Sequence, residues 1–234
     1  MSTDFHVHLE LIDPALVAAG GLTRVVDLGS SRPVEVPGVE VIRAGRMLTA
    51  PRGYPSDRPW AASGLFREVA AVGAKEAVAE QVADGAALIK IALNADAGPV
   101  WDDAVLGEVV AAAHAADRRV VAHVEGVGQA ARAGRAGVDA FAHAPWTERL
   151  PDALVSDLAT RVTWISTLRI HSGADRERAL DNVRRFHGAG GRIRYGTDMG
   201  NGPCSGGVEQ DELDALREAG LGEEELAAAM SGAL

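Results

Sequence analysis

Short apolar segments rich in valine and isoleucine recur along the chain, separated by stretches in which apolar residues follow helical spacing. The segments are apolar almost throughout rather than at alternate positions, which is typical of strands buried on both faces. Because strand and helix alternate, the pattern predicts βαβ units and a parallel sheet. The eight predicted strands are DFHVHLE (4–10), TRVVDLG (23–29), VEVIRAG (39–45), ALIKIAL (87–93), RVVAHVE (119–125), AFAHAPW (140–146), VTWISTL (162–168) and RIRYGTD (192–198).

The intervening stretches predict helices, of which the clearest cover 65–85, 102–117, 148–160 and 175–189. Eight strands with helices between them predict a (β/α)8 TIM-type barrel, an α/β fold of one domain over residues 1–234. We expect a compact barrel whose helices after the first two strands are short or missing. PALVAAGG (14–21) leaves room for about two helical turns at most, and SSRPVEVPG (30–38) is short and rich in proline.

Two long loops rich in glycine and proline follow predicted strands, at residues 46–64 and 200–207. In a barrel, the loops after the strands lie at the C-terminal face, where the active site is found. The sequence therefore predicts that both loops lie beside a functional site.

Composition narrows the class of protein. The 234 residues are 47% hydrophobic and 24% charged, as in ordinary globular proteins, and the net charge of -10 argues against nucleic acid as a partner. No apolar run of about 18 residues predicts a membrane span, and no basic segment with an apolar core predicts a signal peptide. The single cysteine, Cys204, excludes an internal disulfide. A cytoplasmic protein is expected.

Polar side chains occupy several predicted strands at or near their C-terminal ends, where a buried strand is otherwise apolar. Because these ends converge on one mouth in a barrel, the side chains are expected to meet there. The residues are His6, His8, Lys90, His123, His143 and Asp198.

The chemistry of this set indicates a metal centre. His6 and His8 are two residues apart on a strand and so point to the same side, where they can hold one ion. Imidazole nitrogens and a carboxylate suit zinc or a similar divalent ion. An ammonium at Lys90 would repel a metal, whereas a carbamate formed from Lys90 and carbon dioxide is anionic and can bridge two ions. Two divalent metal ions are a known hydrolytic arrangement.

The sequence resembles the metal-dependent amidohydrolase superfamily, and within it the imidazolonepropionase-like and prolidase-like branch. The motifs that carry the resemblance are FHVH, AGRMLTAPRGYP, GAALIKIAL, VVAHVEGVGQAARAGRAGVDAFAH and YGTD, which cover most of the chain in order. The resemblance implies that the HxH pair and Asp198 hold the more buried metal. The carboxylated Lys90 would bridge, and His123 and His143 would hold the second ion. Relatives usually carry a small β-sandwich domain, which we expect this chain to be without.

The resemblance implies a hydrolase of amide-like bonds: a cyclic amide, a dipeptide, an N-acyl amino acid or a carbamate. A metal-bridging hydroxide would attack the carbonyl, and Asp198 would act as general base and then as general acid. Tyr54, Arg169 and His171 are candidate contacts of a small-molecule substrate, the arginine and histidine for a carboxylate. A homo-oligomer would cover the surface that the sandwich covers in relatives.

Other functions stay open at this point. A lactonase or a deaminase is one alternative, although deaminases of this superfamily usually use one metal and lack the lysine found here as Lys90. A second is a non-hydrolytic lyase or cyclase built on the same metal barrel. A third is a catalytically silent metal-binding protein, and the presence of Asp198 argues against it.

Overall fold

The computed structural model describes residues 2–61 and 64–234. Within these ranges the chain forms ten strands that alternate with helices over most of its length. The strands are β1 (Thr3–Val7), β2 (Arg24–Asp27), β3 (Glu40–Arg43), β4 (Met47–Thr49), β5 (Phe66–Glu68), β6 (Ile89–Asn94), β7 (Val120–Glu125), β8 (Ala140–Phe141), β9 (Thr163–Ile165) and β10 (Arg192–Arg194).

Eight α-helices lie within the same described residues, and none of them is both long and apolar enough to cross a membrane. The helices are α1 (Pro14–Ala19), α2 (Ala74–Ala83), α3 (Asp103–Ala115), α4 (Gln129–Ala136), α5 (Asp152–Ala159), α6 (Gly173–Gly188), α7 (Gln210–Glu218) and α8 (Glu223–Ala229). A short 3-10 helix, Leu168–Ile170, follows β9.

The chain divides into two compact units, which we describe separately. The first unit comprises the residues up to Asp27, Val34–Ile42 and Phe141–Leu234, and the second comprises Leu28–Pro33 and Arg43–Ala140. The single domain over residues 1–234 stays a prediction.

In the first unit, β1, β2 and β3 form a sheet in that order, and β1 pairs with β2 in parallel. Apolar side chains of these strands and of the segments next to them pack in a buried cluster that includes Val7, Leu9, Val25 and Met199. Further along the chain, β9 pairs in parallel with β10. All five residues of β1 are buried, as the apolar pattern of this segment predicts.

In the second unit, the strands follow the order β7-β6-β4-β5, and every pair is parallel. All six residues of β6 are buried. The register of β6 against β7 sets Ala92 opposite His123 and Asn94 opposite Glu125. Because side chains alternate along a strand, Lys90 and Asn94 point to the same side of β6 as Ala92.

The second unit also corrects two predictions from the sequence. Strand β4 lies within 46–64, which was predicted as a loop, and β5 replaces the first part of the helix predicted over 65–85. Only the later part of that stretch is helical, as α2. The reason is tertiary: β4 pairs with β5 and, through Leu48 and Ile91, with β6. Such pairing decides the conformation of three-residue segments whose own pattern is too short to show it.

Candidate metal centre

The first unit brings together three of the predicted ligands, His6, His8 and Asp198. The Asp198 Oδ1 atom lies 3.1 Å from His6 Nε2 and 3.3 Å from His8 Nε2, and the two Nε2 atoms are 3.2 Å apart. All three residues are buried. Two imidazole nitrogens and a carboxylate oxygen are a common zinc donor set, and tetrahedral ligands about 2.0 Å from zinc are about 3.3 Å from one another. The donor set therefore fits a divalent metal ion in both chemistry and spacing.

Backbone pairing at the end of β1 explains why these side chains meet. Val7 forms a parallel bridge with Met199. The His8 N–H donates to the Met199 carbonyl at 2.7 Å, and the Met199 N–H donates to the His6 carbonyl at 3.3 Å. Because Met199 directly follows Asp198, this pairing places the carboxylate beside the two imidazoles.

A buried carboxyl group, Asp4, ties the same two segments together a little deeper in the unit. It accepts hydrogen bonds from the His6 N–H at 2.9 Å, the Thr197 N–H at 3.2 Å and the Thr197 hydroxyl at 2.6 Å. Burial raises the pKa of Asp4 to about 7, against the opposing effect of these hydrogen bonds. Asp4 thus connects the backbone at His6 to the backbone at Thr197, the residue before Asp198.

His143, the fourth predicted ligand in this unit, lies against His6 with the ring centroids 4.6 Å apart. The Nδ1 atoms of His6 and His143 each lie within hydrogen-bonding distance of an oxygen atom. His6 Nδ1 is 2.7 Å from the Ala142 carbonyl oxygen, and His143 Nδ1 is 2.8 Å from the Thr167 hydroxyl oxygen. Metal-binding histidines usually donate their second ring N–H in this way, which fixes the ring and its tautomer. These two contacts therefore fix the orientation of both rings.

Asp198 is held as a carboxylate by its surroundings. Burial works to raise the pKa of its carboxyl group, but the three neighbouring imidazoles outweigh burial and hold the pKa well below its usual range. An ionised oxygen is the form that binds a metal or accepts a proton.

The backbone at Asp198 is in the left-handed region, with φ of 54°, which is costly for a residue other than glycine. Asn201 stabilises it: its N–H donates to the Asp198 carbonyl at 2.9 Å, and its side-chain Nδ2 donates to Oδ2 at 2.8 Å. The two carboxylate oxygens are therefore distinguished, since Oδ1 faces the imidazoles and Oδ2 faces Asn201.

Lys90 and His123 lie in the second unit, on the adjoining strands β6 and β7. Lys90 is fully buried and is the second residue of β6. His123 Nε2 is 2.9 Å from a Glu125 carboxylate oxygen, which also accepts a hydrogen bond from Asn94 at 2.6 Å. The ring of Tyr54 stacks on His123 at 5.0 Å, so this candidate substrate residue does contact a candidate ligand.

Arg169 and His171 lie in the first unit, on and just after the 3-10 helix that follows β9. The Arg169 guanidinium donates to the Pro203 carbonyl at 2.9 Å. His171 packs on Trp146 with ring centroids 4.6 Å apart, and Trp146 in turn contacts His143 at 5.4 Å. His171 is therefore connected to a candidate ligand through one intervening aromatic ring.

Three residues that support these side chains were not predicted from the sequence. Asp4, Thr167 and Asn201 were assigned no part, although all three hydrogen-bond to a candidate ligand. Asp4 and Asn201 lie within three residues of a predicted ligand, so proximity was an available signal. Thr167 lies 24 residues from His143 and had no such signal.

No protein-family model matches the sequence, and no curated protein matches it significantly. Solved structures do match over nearly the whole chain. A Xaa-Pro dipeptidase with methionine bound in its active site has a TM-score of 0.78 at 19% identity, covering 98% of this chain and 73% of its own. A. niger ochratoxinase has a TM-score of 0.78 at 18% identity, covering 98% and 69%. Phenylurea hydrolase B has a TM-score of 0.71 at 15% identity, covering 98% and 72%.

At these identities the likeness shows a shared fold. The matching structures also include an amidohydrolase and a putative prolidase, so the fold that the resemblance implies is confirmed. The predicted α/β class with parallel strands is confirmed as well, and it fits an α/β barrel. The closure of eight strands into one ring stays a prediction.

Proposed function

We propose that this protein is a metal-dependent hydrolase of amide-like bonds, acting on a cyclic amide, a dipeptide, an N-acyl amino acid or a carbamate. The observation that carries the proposal is the buried triad of His6 Nε2, His8 Nε2 and Asp198 Oδ1, with donor atoms 3.1–3.3 Å apart. The names of the fold neighbours, which include a dipeptidase and a phenylurea hydrolase, support the choice of bond.

The residues have distinct parts in this reaction. A divalent metal held by His6, His8 and Asp198 would supply a water of lowered pKa and polarise the substrate carbonyl. Asp198 Oδ2, held by Asn201, is the oxygen that takes the proton of the attacking water. It returns that proton to the leaving nitrogen as the C–N bond breaks, which completes the hydrolysis.

Three further residues are proposed to recognise the substrate. Arg169 and His171 are proposed to bind a substrate carboxylate, since a guanidinium offers paired N–H donors. Tyr54, which stacks on His123, is proposed as a further substrate contact.

The proposed bond class predicts a specific pattern of activity. Protein loaded with zinc, cobalt or manganese should hydrolyse at least one class among N-acyl amino acids, dipeptides, cyclic amides and carbamates, and a chelator should abolish this turnover. The measurement is chromatographic detection of the amine that is released or, for a cyclic amide, of the ring-opened product. Metal is added back after chelation to test whether turnover returns. Lactones and amino-substituted heterocycles serve as controls for the alternative chemistries. Turnover of these compounds alone would contradict the proposal.

We further propose that Lys90 is carboxylated and serves as a ligand of a second ion. The chain contains only two lysines, Lys90 and Lys75, which makes the test direct. Incubation with ¹³C-bicarbonate and metal should produce one carbamate resonance in the ¹³C spectrum, lost in Lys90→Gln.

Lys75→Gln is the matched control, because Lys75 is exposed on α2 and should leave the resonance intact. The metal content of the same samples should fall from two ions per chain in the wild type towards one in Lys90→Gln. If the wild-type protein binds two ions per chain and shows no such resonance, Lys90 is not carboxylated and the carbamate is excluded.

A further inference from the structure

The 3-10 helix Leu168–Ile170 begins in an unusual way. The residue before it, Thr167, is of a type that normally caps a helix, because its hydroxyl accepts a backbone N–H two or three residues on. Here the Thr167 side chain makes no such bond. Its hydroxyl lies instead 2.8 Å from His143 Nδ1, and its backbone is in the left-handed region with φ of 44°.

A carboxyl group from a distant helix caps the turn instead. Glu212, in the first turn of α7, is fully buried and accepts the Arg169 N–H at 2.8 Å. The Ser166 side chain and the Leu168 backbone also act to lower the pKa of this carboxyl group. The Arg169 N–H, which a capping threonine could satisfy, is thus satisfied from 43 residues away.

This arrangement is costly, so it calls for a reason. Burial raises the pKa of Glu212 to about 7, although its contacts with Ser166, Arg169 and Leu168 act to lower it. The left-handed backbone of Thr167, a β-branched residue, adds strain. Capping by the Thr167 hydroxyl in an extended conformation would avoid both costs. It would also withdraw the hydroxyl from His143.

We propose that Glu212 is a positioning residue for the candidate metal centre: by capping this turn in place of Thr167, it leaves the Thr167 hydroxyl to hold His143 Nδ1. The inference rests on the proposed function and on the prediction from the sequence that His143 is a ligand of the second ion, which would bind through Nε2. Glu212 itself touches neither the ligands nor the substrate; it acts through the conformation of Thr167.

The first test concerns the ring of His143 in the metal-free protein, measured by long-range ¹H–¹⁵N correlation with His143→Asn used for assignment. In the wild type, His143 should be a single tautomer protonated at Nδ1, which donates to the Thr167 oxygen. Glu212→Leu, which has no acceptor, and Thr167→Val should each give a mixture of tautomers. Thr167→Ser, which keeps the hydroxyl, should retain the wild-type spectrum. Glu218→Leu, at an exposed position of the same helix, is the matched control.

The second test is zinc affinity, measured by competition with a chromophoric chelator. Loss of a group that orients a metal ligand typically weakens binding by about 10–100-fold, and we expect Glu212→Leu and Thr167→Val to fall in this range. Because both act through one hydrogen bond, the double variant should be no weaker than Thr167→Val alone.

Additive effects on affinity, or an unchanged His143 spectrum in Glu212→Leu, would overturn the proposal. A wild-type tautomer protonated at Nε2 would overturn it too, since that nitrogen would then be closed to a metal. Should Glu212→Leu not fold, Glu212→Asp carries the same tests, because it keeps the charge but withdraws the carboxylate from the turn. A protein that binds no zinc would contradict the proposed function, while the spectrum of the metal-free protein would still decide the role of Glu212.

Discussion

Replacing Asp198 with asparagine is expected to lower turnover by about 10²-fold or more while most of the bound metal remains. Asparagine keeps an oxygen that can occupy the place of Oδ1, between the Nε2 atoms of His6 and His8. It puts an amide nitrogen in place of Oδ2, which can neither take up a proton nor accept the hydrogen bond from Asn201. The loss should therefore appear in the rate constant for turnover, with metal content per chain measured in parallel.

Asp211→Asn is the matched control for this variant, because Asp211 is exposed and lies on α7, away from the candidate ligands in sequence. It should retain wild-type turnover and metal content. Wild-type turnover in Asp198→Asn would remove Asp198 from proton transfer. Complete loss of metal would instead assign the defect to binding.

The double variant His6→Asn/His8→Asn should lose the stabilisation that metal gives the folded protein. A ligand present at about 100 times its Kd stabilises the folded state by about 2.7 kcal/mol, which for a chain of this length raises Tm by about 5–10 °C. Without two of three clustered donors, the variant should show almost no rise. The measurement is Tm with and without zinc, each protein being compared with its own metal-free state.

His114→Asn is the control for loss of a histidine as such. His114 lies near the end of α3, half-exposed and paired with Asp139 at 2.9 Å, and no metal role was assigned to it. Its response to zinc should equal that of the wild type. An undiminished rise in the double variant would show that zinc binds elsewhere, and the proposed centre would fail.

Several features of the site follow from local pattern alone. His6 and His8 are two residues apart at the end of an apolar segment, and this spacing is sufficient to predict that their rings converge. Their Nε2 atoms are indeed 3.2 Å apart. Asp198 was identified by the same logic, as a charge at the end of another apolar segment. The wrong predictions concern the short strands β4 and β5, which were predicted as part of a loop and part of a helix. These strands are defined by their pairing rather than by their composition.

What the sequence by itself determined is the α/β class with parallel strands and the donor types at the strand ends. Alternation of apolar segments and helical spacing is a property of neighbouring residues, and so it can be read without knowing the fold. The tertiary structure alone decided which groups support the donors. Asp4 meets Thr197, Thr167 meets His143 and Glu212 meets Arg169 across 193, 24 and 43 residues. Such contacts depend on how distant segments pack, and no local pattern specifies them. The physical reason is that a buried polar group needs a partner, but any suitable group that the packing brings near can provide it.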